Sequence, residues 1–216
     1  MITVFRVACC DGYWPSKPYQ GINLDSRVFQ TEAERVDYNA KYHCFEGVPK
    51  NDWNPAPIEP TGYLGKPLRL PSTKKLPEPD VWGIYDGAFA VWTEFLKKNP
   101  ELERILTRAG QLLMQPFKDK ELTICNILVC VNCIDEERTL YHGPLKVVQC
   151  PFFVPTELPE SKLFKIPQSP TKIFAWEDSD SIDPQNDFKA WVEKRKLTNI
   201  YFLPAWSETE GIIRQK

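Results

Sequence analysis

Three closely spaced cysteines are the residues whose type and spacing are most suggestive of chemistry. Cys130 and Cys133 form a C-x-x-C pair, and Cys125 precedes them by a few residues. Such pairs bind structural zinc or exchange disulfides, but a zinc site needs four ligands, usually from two such pairs or from added histidines. The chain has only two histidines and no second pair of this kind. We therefore expect reduced, mostly buried thiols, while a metal or redox module that uses Cys125, Cys130 and Cys133 stays as an alternative.

The two histidines give little support for a histidine-based reaction. His43 is adjacent to Cys44, but catalytic pairs are usually close in space and distant in sequence. His142 lies in a Tyr-His-Gly-Pro turn. The sequence contains no glycine-rich phosphate loop, no G-x-S-x-G elbow and no H-E-x-x-H motif. It therefore predicts no catalytic residue, no metal site and no cofactor.

The densest charge in the chain lies in residues 177–183, which read Glu-Asp-Ser-Asp-Ser-Ile-Asp. The simplest interpretation is a solvated loop that ends in a helix cap. The functional interpretation is an acidic docking surface for a basic partner, because complementary charge speeds association. On that interpretation the predicted partner-binding residues are Glu177, Asp178, Asp180 and Asp183.

A strand–helix–strand unit must position this acidic loop. The short apolar run 173–176 predicts a strand. Asp183 predicts a helix N-cap and Pro184 the first helical residue, where the missing N–H costs nothing. The run 200–203 predicts the second strand, which Pro204 ends. The helix between them should bury one face, formed by Phe188, Trp191 and Val192.

An earlier stretch follows the same pattern and suggests an internal repeat. Residues 89–92 predict a strand, Asn99 an N-cap and Pro100 the first helical residue. Gly110 predicts a left-handed residue just after the helix, and residues 112–117 predict the returning strand. The alternative is that two such pieces occur by chance in a chain of mixed structure.

The remaining stretches complete an α+β prediction, with a mixed or antiparallel sheet, two strand–helix–strand units and a proline-rich N-terminal region. Residues 121–135 are apolar and β-branched, which predicts one central strand that contains the C-x-x-C pair. Residues 1–77 predict an opening strand followed by an irregular region packed on the core. Residues 78–206 predict the α+β domain, and residues 207–216 a polar tail that frays.

Composition excludes several classes of protein. The net charge of −2 lacks the basic excess of nucleic-acid binders. No apolar run approaches the 18 or so residues of a membrane span. Seven cysteines at irregular spacing do not form the even framework of a disulfide-rich secreted protein. We therefore expect a cytoplasmic protein that binds neither nucleic acid nor membrane.

Three stretches near the end of the chain read LFKIPQSPTKIF (163–174), FKAWVE (188–193) and LTNIYFLPAW (197–206). Together they resemble the closing signature of a family of bacterial polymorphic-toxin immunity proteins that was long catalogued as a domain of unknown function. Residues 79–117 resemble the family's earlier strand–helix portion more weakly. Asn199 stands where the family usually has glycine, but asparagine also tolerates the left-handed conformation. The acidic loop is longer than the corresponding link in the family.

The resemblance implies an immunity protein that stays in the toxin-producing cell, binds a cognate toxin domain and blocks its activity. The signature positions are structural, so the resemblance transfers no catalytic residue and implies a non-enzymatic inhibitor. The alternative is a small hydrolase-type enzyme that reverses a toxin's effect. A deep pocket that holds His142 or Cys133 beside carboxylates would favour that alternative.

Overall fold

The structure is a computed structural model and describes residues 1–9, 21–24, 58–61, 78–85, 88–117 and 119–214. Most of the predicted N-terminal region, together with His43 and Cys44, lies outside these ranges. The described chain is of the α+β class and mostly β. None of its helices is long and apolar enough to cross a membrane.

The strands are β1 (Ile2–Cys9), β2 (Gly21–Leu24), β3 (Ile58–Thr61), β4 (Val81–Tyr85), β5 (Ala88–Trp92), β6 (Gly110–Phe117), β7 (Lys120–Ile127), β8 (Leu140–His142), β9 (Val147–Cys150), β10 (Leu163–Ile166), β11 (Ser169–Asp178), β12 (Ile200–Ser207) and β13 (Gly211–Ile212). The helices are α1 (Thr93–Lys97), α2 (Pro100–Ala109) and α3 (Phe188–Arg195).

Two antiparallel sheets of matching topology form the body of the described chain. Their strand orders are β4-β5-β7-β6 and β10-β11-β1-β12-β13. In each sheet a hairpin leads into a helical segment. The strand after that segment lies two positions away from the second strand of the hairpin. The gap between β5 and β6 is filled by β7, and the gap between β11 and β12 by β1. Both predicted strand–helix–strand units are therefore present, and the strands of these sheets pair antiparallel. The prediction that Pro204 ends the last strand of the second unit is wrong, because β12 continues through Pro204 to Ser207 and pairs with β1 over that length. Two short two-stranded ladders, β2-β3 and β8-β9, accompany them.

The helices and the inner faces of both sheets enclose one shared core. The ring of Phe89 on β5 lies 5.7 Å from that of Phe188 on α3, between centroids, and the ring of Phe95 on α1 lies 6.2 Å from that of Trp191. Phe188, Trp191 and Val192 are all buried, which confirms the predicted apolar face of α3. A second core covers the other face of the five-stranded sheet, where Phe153, Phe164, Phe174 and Trp206 pack together.

A cluster of hydrogen bonds joins the start of the first unit to the turn before β12. The Asp80 Oδ2 atom accepts from the backbone N and the Oγ1 of Thr198, at 2.8 and 2.7 Å. The Asn199 amide donates to the Val81 carbonyl at 2.8 Å. Asn199 has φ 64, which is the left-handed conformation that asparagine tolerates.

The predicted start of α3 at Asp183 is wrong. The helix begins at Phe188, after Asp187 in the N-cap position. The Asp183 Oδ1 atom accepts from the Gln185 N–H, and its carbonyl accepts from the N–H groups of Asn186 and Asp187. Residues 183–187 form a separate turn. The sequence pattern misled because an Asx-Pro pair makes the same short-range hydrogen bonds in a turn as at a helix start.

The predicted strand 121–135 is also wrong in its second half. β7 ends at Ile127, and the chain then leaves the sheet. It runs beside β10, where the Val131 N–H donates to the Lys165 carbonyl and the Lys165 N–H donates to the Val129 carbonyl. The C-x-x-C pair therefore lies in irregular chain. The expectation of a frayed tail is wrong for residues 207–212, since β13 pairs with the end of β12.

Gly110 follows α2, but its predicted left-handed conformation is wrong. Its φ of −179 is extended, and Gly110 is the first residue of β6. The neighbouring strand explains why glycine is needed there. A Cβ atom at this position would overlap the carbonyl oxygen of Asn126 and lie 2.9 Å from the Cα of Ile127. The close approach of β7, and not a positive φ, is the constraint at this position.

We expect Gly110→Ala to lower the free energy of unfolding by about 3 kcal/mol, because a methyl group would push β6 away from β7. Urea denaturation measures the change. The matched control is Gly143→Asn, since Gly143 has φ 69, nothing lies within 4 Å of an added Cβ, and asparagine tolerates that conformation. The control should change stability by less than about 0.5 kcal/mol. Equal effects of the two substitutions would contradict the packing account.

Candidate functional site

The acidic loop follows the end of β11 and lies beside the first residue of the chain. The Met1 amino group donates to Asp178 Oδ1 at 2.9 Å and to Asp180 Oδ2 at 2.8 Å. The Ser179 N–H donates to the Met1 carbonyl at 2.9 Å. The antiparallel pairing of β1 with β11 brings these groups together, since Ile2 lies opposite Asp178.

The four predicted partner-binding residues differ in their surroundings. The Asp180 side chain is 81% exposed and that of Asp178 is 29% exposed. The Glu177 side chain is only 15% exposed and accepts from the Lys189 Nζ at 3.1 Å. Asp183 lies in the turn before α3. The structure thus brings Asp178 and Asp180 together, while Glu177 and Asp183 bond to α3 and to the turn before it.

One further acid lies beside the pair, and sequence reasoning missed it. The Glu208 side chain accepts from the Ile2 N–H at 3.1 Å, and the Glu208 N–H donates to the Ile2 carbonyl. The only signal was its acidity in a tail that was expected to fray. Ile182, in the same loop, is 49% exposed. We call Asp178, Asp180, Ile182 and Glu208 the acidic end.

Short hydrogen bonds set the ionisation of this surface. Hydrogen bonds from the Met1 amino group lower the pKa of Asp178 and that of Asp180. In turn Asp180 and then Asp178 raise the pKa of the Met1 amino group from 8.0 to about 10. The Gln185 N–H and the Asn186 amide lower the pKa of Asp183. These carboxyl groups are therefore ionised at neutral pH.

The three candidate thiols belong to different surroundings. Cys125 packs in the shared core, and burial raises the pKa of its thiol. Cys133 packs in the second core, where burial raises its pKa to about 12. Cys130 is half-buried beside Lys165. Over the described ranges, no three histidine, cysteine or acidic side chains are grouped as metal ligands would be.

A cavity of about 340 Å³ lies on the outer face of the five-stranded sheet, which is the face that also carries the second core. β9 and the last described residues form its other walls, and Arg6, Lys172 and Arg214 contribute its charge. His142 and Cys133 are not among its described lining residues. Sequence reasoning missed this site, although Arg6 and Lys172 gave a signal as cations within otherwise apolar strands.

No protein-family model matches the sequence, and no curated protein matches it. The resemblance of residues 163–206 to the immunity family therefore stays a prediction.

The ion pairs of Met1 should stabilise the fold within a defined pH range. The raised pKa of the amino group makes their contribution complete below pH 8 and lost as the pH rises through about 10. On the acid side, the lowered pKa values of Asp178 and Asp180 make it vanish as the pH falls below 3.8. We expect the stability difference between the protein and an Asp178→Asn, Asp180→Asn variant to be constant near neutral pH and to shrink between pH 8 and 10. Urea unfolding of chains with a free Met1 amino group measures it.

The control is Glu193→Gln, which removes one of the two partners of Lys189. Burial lowers the pKa of Lys189, but the hydrogen bonds that Lys189 donates to Glu193 and Glu177 raise it above its usual value overall. The effect of Glu193→Gln should therefore stay constant between pH 8 and 10. A pH-independent difference for the double aspartate variant as well would contradict a contribution from the Met1 ion pairs.

Proposed function

We propose that this chain is an immunity protein that binds one cognate bacterial toxin domain in the cytoplasm and neutralises it without catalysis. The observation that carries the proposal is the acidic end, where the exposed carboxylate of Asp180 lies in the same loop as the exposed Ile182. A toxin domain with a basic surface is the partner that this chemistry fits. Occlusion of the toxin's active surface is the proposed mode of inhibition.

The loop is ordered before any partner arrives. The Asp180 N–H and the Ser181 hydroxyl both donate to the Asp178 carboxylate. The Ser181 N–H donates to the Asp178 carbonyl, and the Ser179 N–H to the Met1 carbonyl. A loop that is already fixed loses little conformational entropy on binding, so more of the interaction energy appears as affinity.

Charge and apolar surface have different roles in such a complex. Ionised carboxylates attract a basic partner over about 10 Å and raise the association rate. An exposed apolar side chain such as Ile182 gains from burial once the partner is in place. A stable specific complex buries about 1,200–2,000 Å² in total, so surface around the loop must also take part.

The family resemblance is carried largely by core residues and not by the proposed contact surface. Leu163, Phe164, Phe174 and Trp206 are buried. A resemblance carried by core residues concerns the fold, and it leaves the exposed loop free to match a particular toxin. The additional length of this loop, compared with the family, lies at the proposed contact surface.

We expect neutralisation of the loop by Asp178→Asn, Asp180→Asn and Asp183→Asn to slow association with the toxin domain about tenfold at low salt, because electrostatic steering is lost. At high salt the two association rates should converge. Affinity purification from the source cells supplies the partner, and stopped-flow mixing of the two purified proteins measures the rates. Growth of cells that express the toxin with each variant tests neutralisation.

The matched control removes three exposed acids elsewhere, with Glu94→Gln, Glu103→Gln and Glu121→Gln. It changes the net charge equally, so its association rate should stay within about twofold of the unmodified protein. An equal effect of both triple variants would contradict the proposal that the acidic loop of residues 177–183 attracts the partner. Failure of the unmodified protein to protect cells from any toxin that it binds would overturn the immunity function itself.

A further inference from the structure

We propose that the cavity on the outer face of the five-stranded sheet binds a small organic phosphate. Its volume of about 340 Å³ lies in the lower part of the range of small-molecule sites. Three cationic side chains line it, and they come from three separate parts of the chain. Nothing in the proposed contact with a toxin uses this cavity, so the inference stands apart from the immunity function.

The sheet places two of the cations side by side. Arg6 on β1 lies opposite Phe174 on β11, and Lys172 precedes Phe174 by two residues. Residues two apart on a strand point to the same face, so Lys172 and Phe174 share the face that borders the cavity. A diagonal pair such as Arg6 and Lys172 is typically about 7–8 Å apart. Arg214, just after β13, brings the third charge to the cavity.

These charges are not balanced within the cavity wall. The residues that are described as lining it include no aspartate or glutamate. The Lys172 Nζ donates to the neutral carbonyl of Val148 at 2.9 Å. Burial, and then the positive charge of Arg6, lower the pKa of Lys172. A bound anion would relieve this repulsion, and the gain would appear as binding energy.

The remaining walls indicate the rest of the ligand. Phe174, Pro151 and Ile213 provide apolar contact, and Gln149 can hydrogen-bond a neutral polar group. A phosphate monoester carries nearly two negative charges and three acceptor oxygens, which suits three separate cations better than a carboxylate does. The combination of a cationic wall with apolar walls therefore selects an organic phosphate over an inorganic ion.

The cavity is well separated from the acidic end along β11. Lys172 and Asp178 are six residues apart on one strand, which corresponds to about 20 Å. A ligand in the cavity and a partner at the acidic end can therefore be tested separately. Loss of phosphate binding would leave the immunity proposal intact, and failure of toxin neutralisation would leave the cavity proposal intact.

Calorimetric titration of the full chain tests the site, with phenyl phosphate as the probe and inorganic phosphate and phenol as its two halves. We expect saturable binding of phenyl phosphate that weakens with added salt, and at least tenfold weaker binding of either half. Lys172→Gln and Arg214→Gln should each weaken phenyl phosphate binding about tenfold. Arg214 is exposed and lies outside the strands, so its substitution should leave the fold intact. The control Lys196→Gln, at an exposed position after α3, should leave affinity unchanged.

Alkylation of Cys150 supplies a local readout, because this half-buried thiol lines the cavity. Phenyl phosphate should slow its reaction with iodoacetamide at least fivefold, as followed by peptide mass spectrometry, and leave the rate at half-buried Cys130 unchanged. The absence of saturable binding, an equal loss of affinity in Lys196→Gln, or an unprotected Cys150 would overturn the proposal. Equal affinity for inorganic phosphate and phenyl phosphate would overturn the assignment of an organic ligand.

Discussion

The insertion of β1 between β11 and β12 is the interaction on which the rest of the structure depends. β1 pairs with β11 from Ile2 to Val7 and with β12 from Thr3 to Cys9. It also contributes a buried side chain to each face of the sheet, since Val7 packs in the shared core and Val4 in the second core. Its partners lie at the other end of the chain, so the pairing must overcome a large loop-closure entropy. The same strand begins at the acidic end and carries Arg6 into the cavity, which makes both candidate sites depend on it.

The two units form a single packed body because their helices and inner sheet faces share one core. Each unit has a hairpin, a helical crossover and a returning strand, and one other strand lies between the hairpin and the returning strand. In the first unit this strand is β7, which follows the unit directly in the chain. In the second unit it is β1, from the start of the chain. Contacts such as Phe89 with Phe188, and the hydrogen bonds of Asp80 with Thr198, tie the units together. Removing either unit would expose the apolar face of the other to water.

The protein has one acidic and one cationic surface, although its net charge is only −2. At the acidic end, the carboxylates of Asp178 and Asp180 are partly balanced by one amino group and face solvent. In the cavity, cations line a partly open concave surface with apolar walls, which is suited to a small ligand. An open acidic surface favours a protein partner, whose charges can approach over a wide area. The proposed functions of the two sites follow from this difference in shape as much as from the sign of the charge.

Local patterns in the sequence determined the class of fold, the strands near residues 89–92, 173–176 and 200–203, and the buried face of α3. Each of these depends on neighbours within a few residues, through periodicity or backbone sterics. The tertiary structure alone decided that Gly110 is extended and that β7 ends at Ile127. It also decided that Arg6, Lys172 and Arg214 meet. These features depend on residues distant in sequence, such as Asn126 above Gly110 and Lys165 beside the chain after β7. A local pattern contains no information about such contacts, because their energies arise only when the sheets have formed.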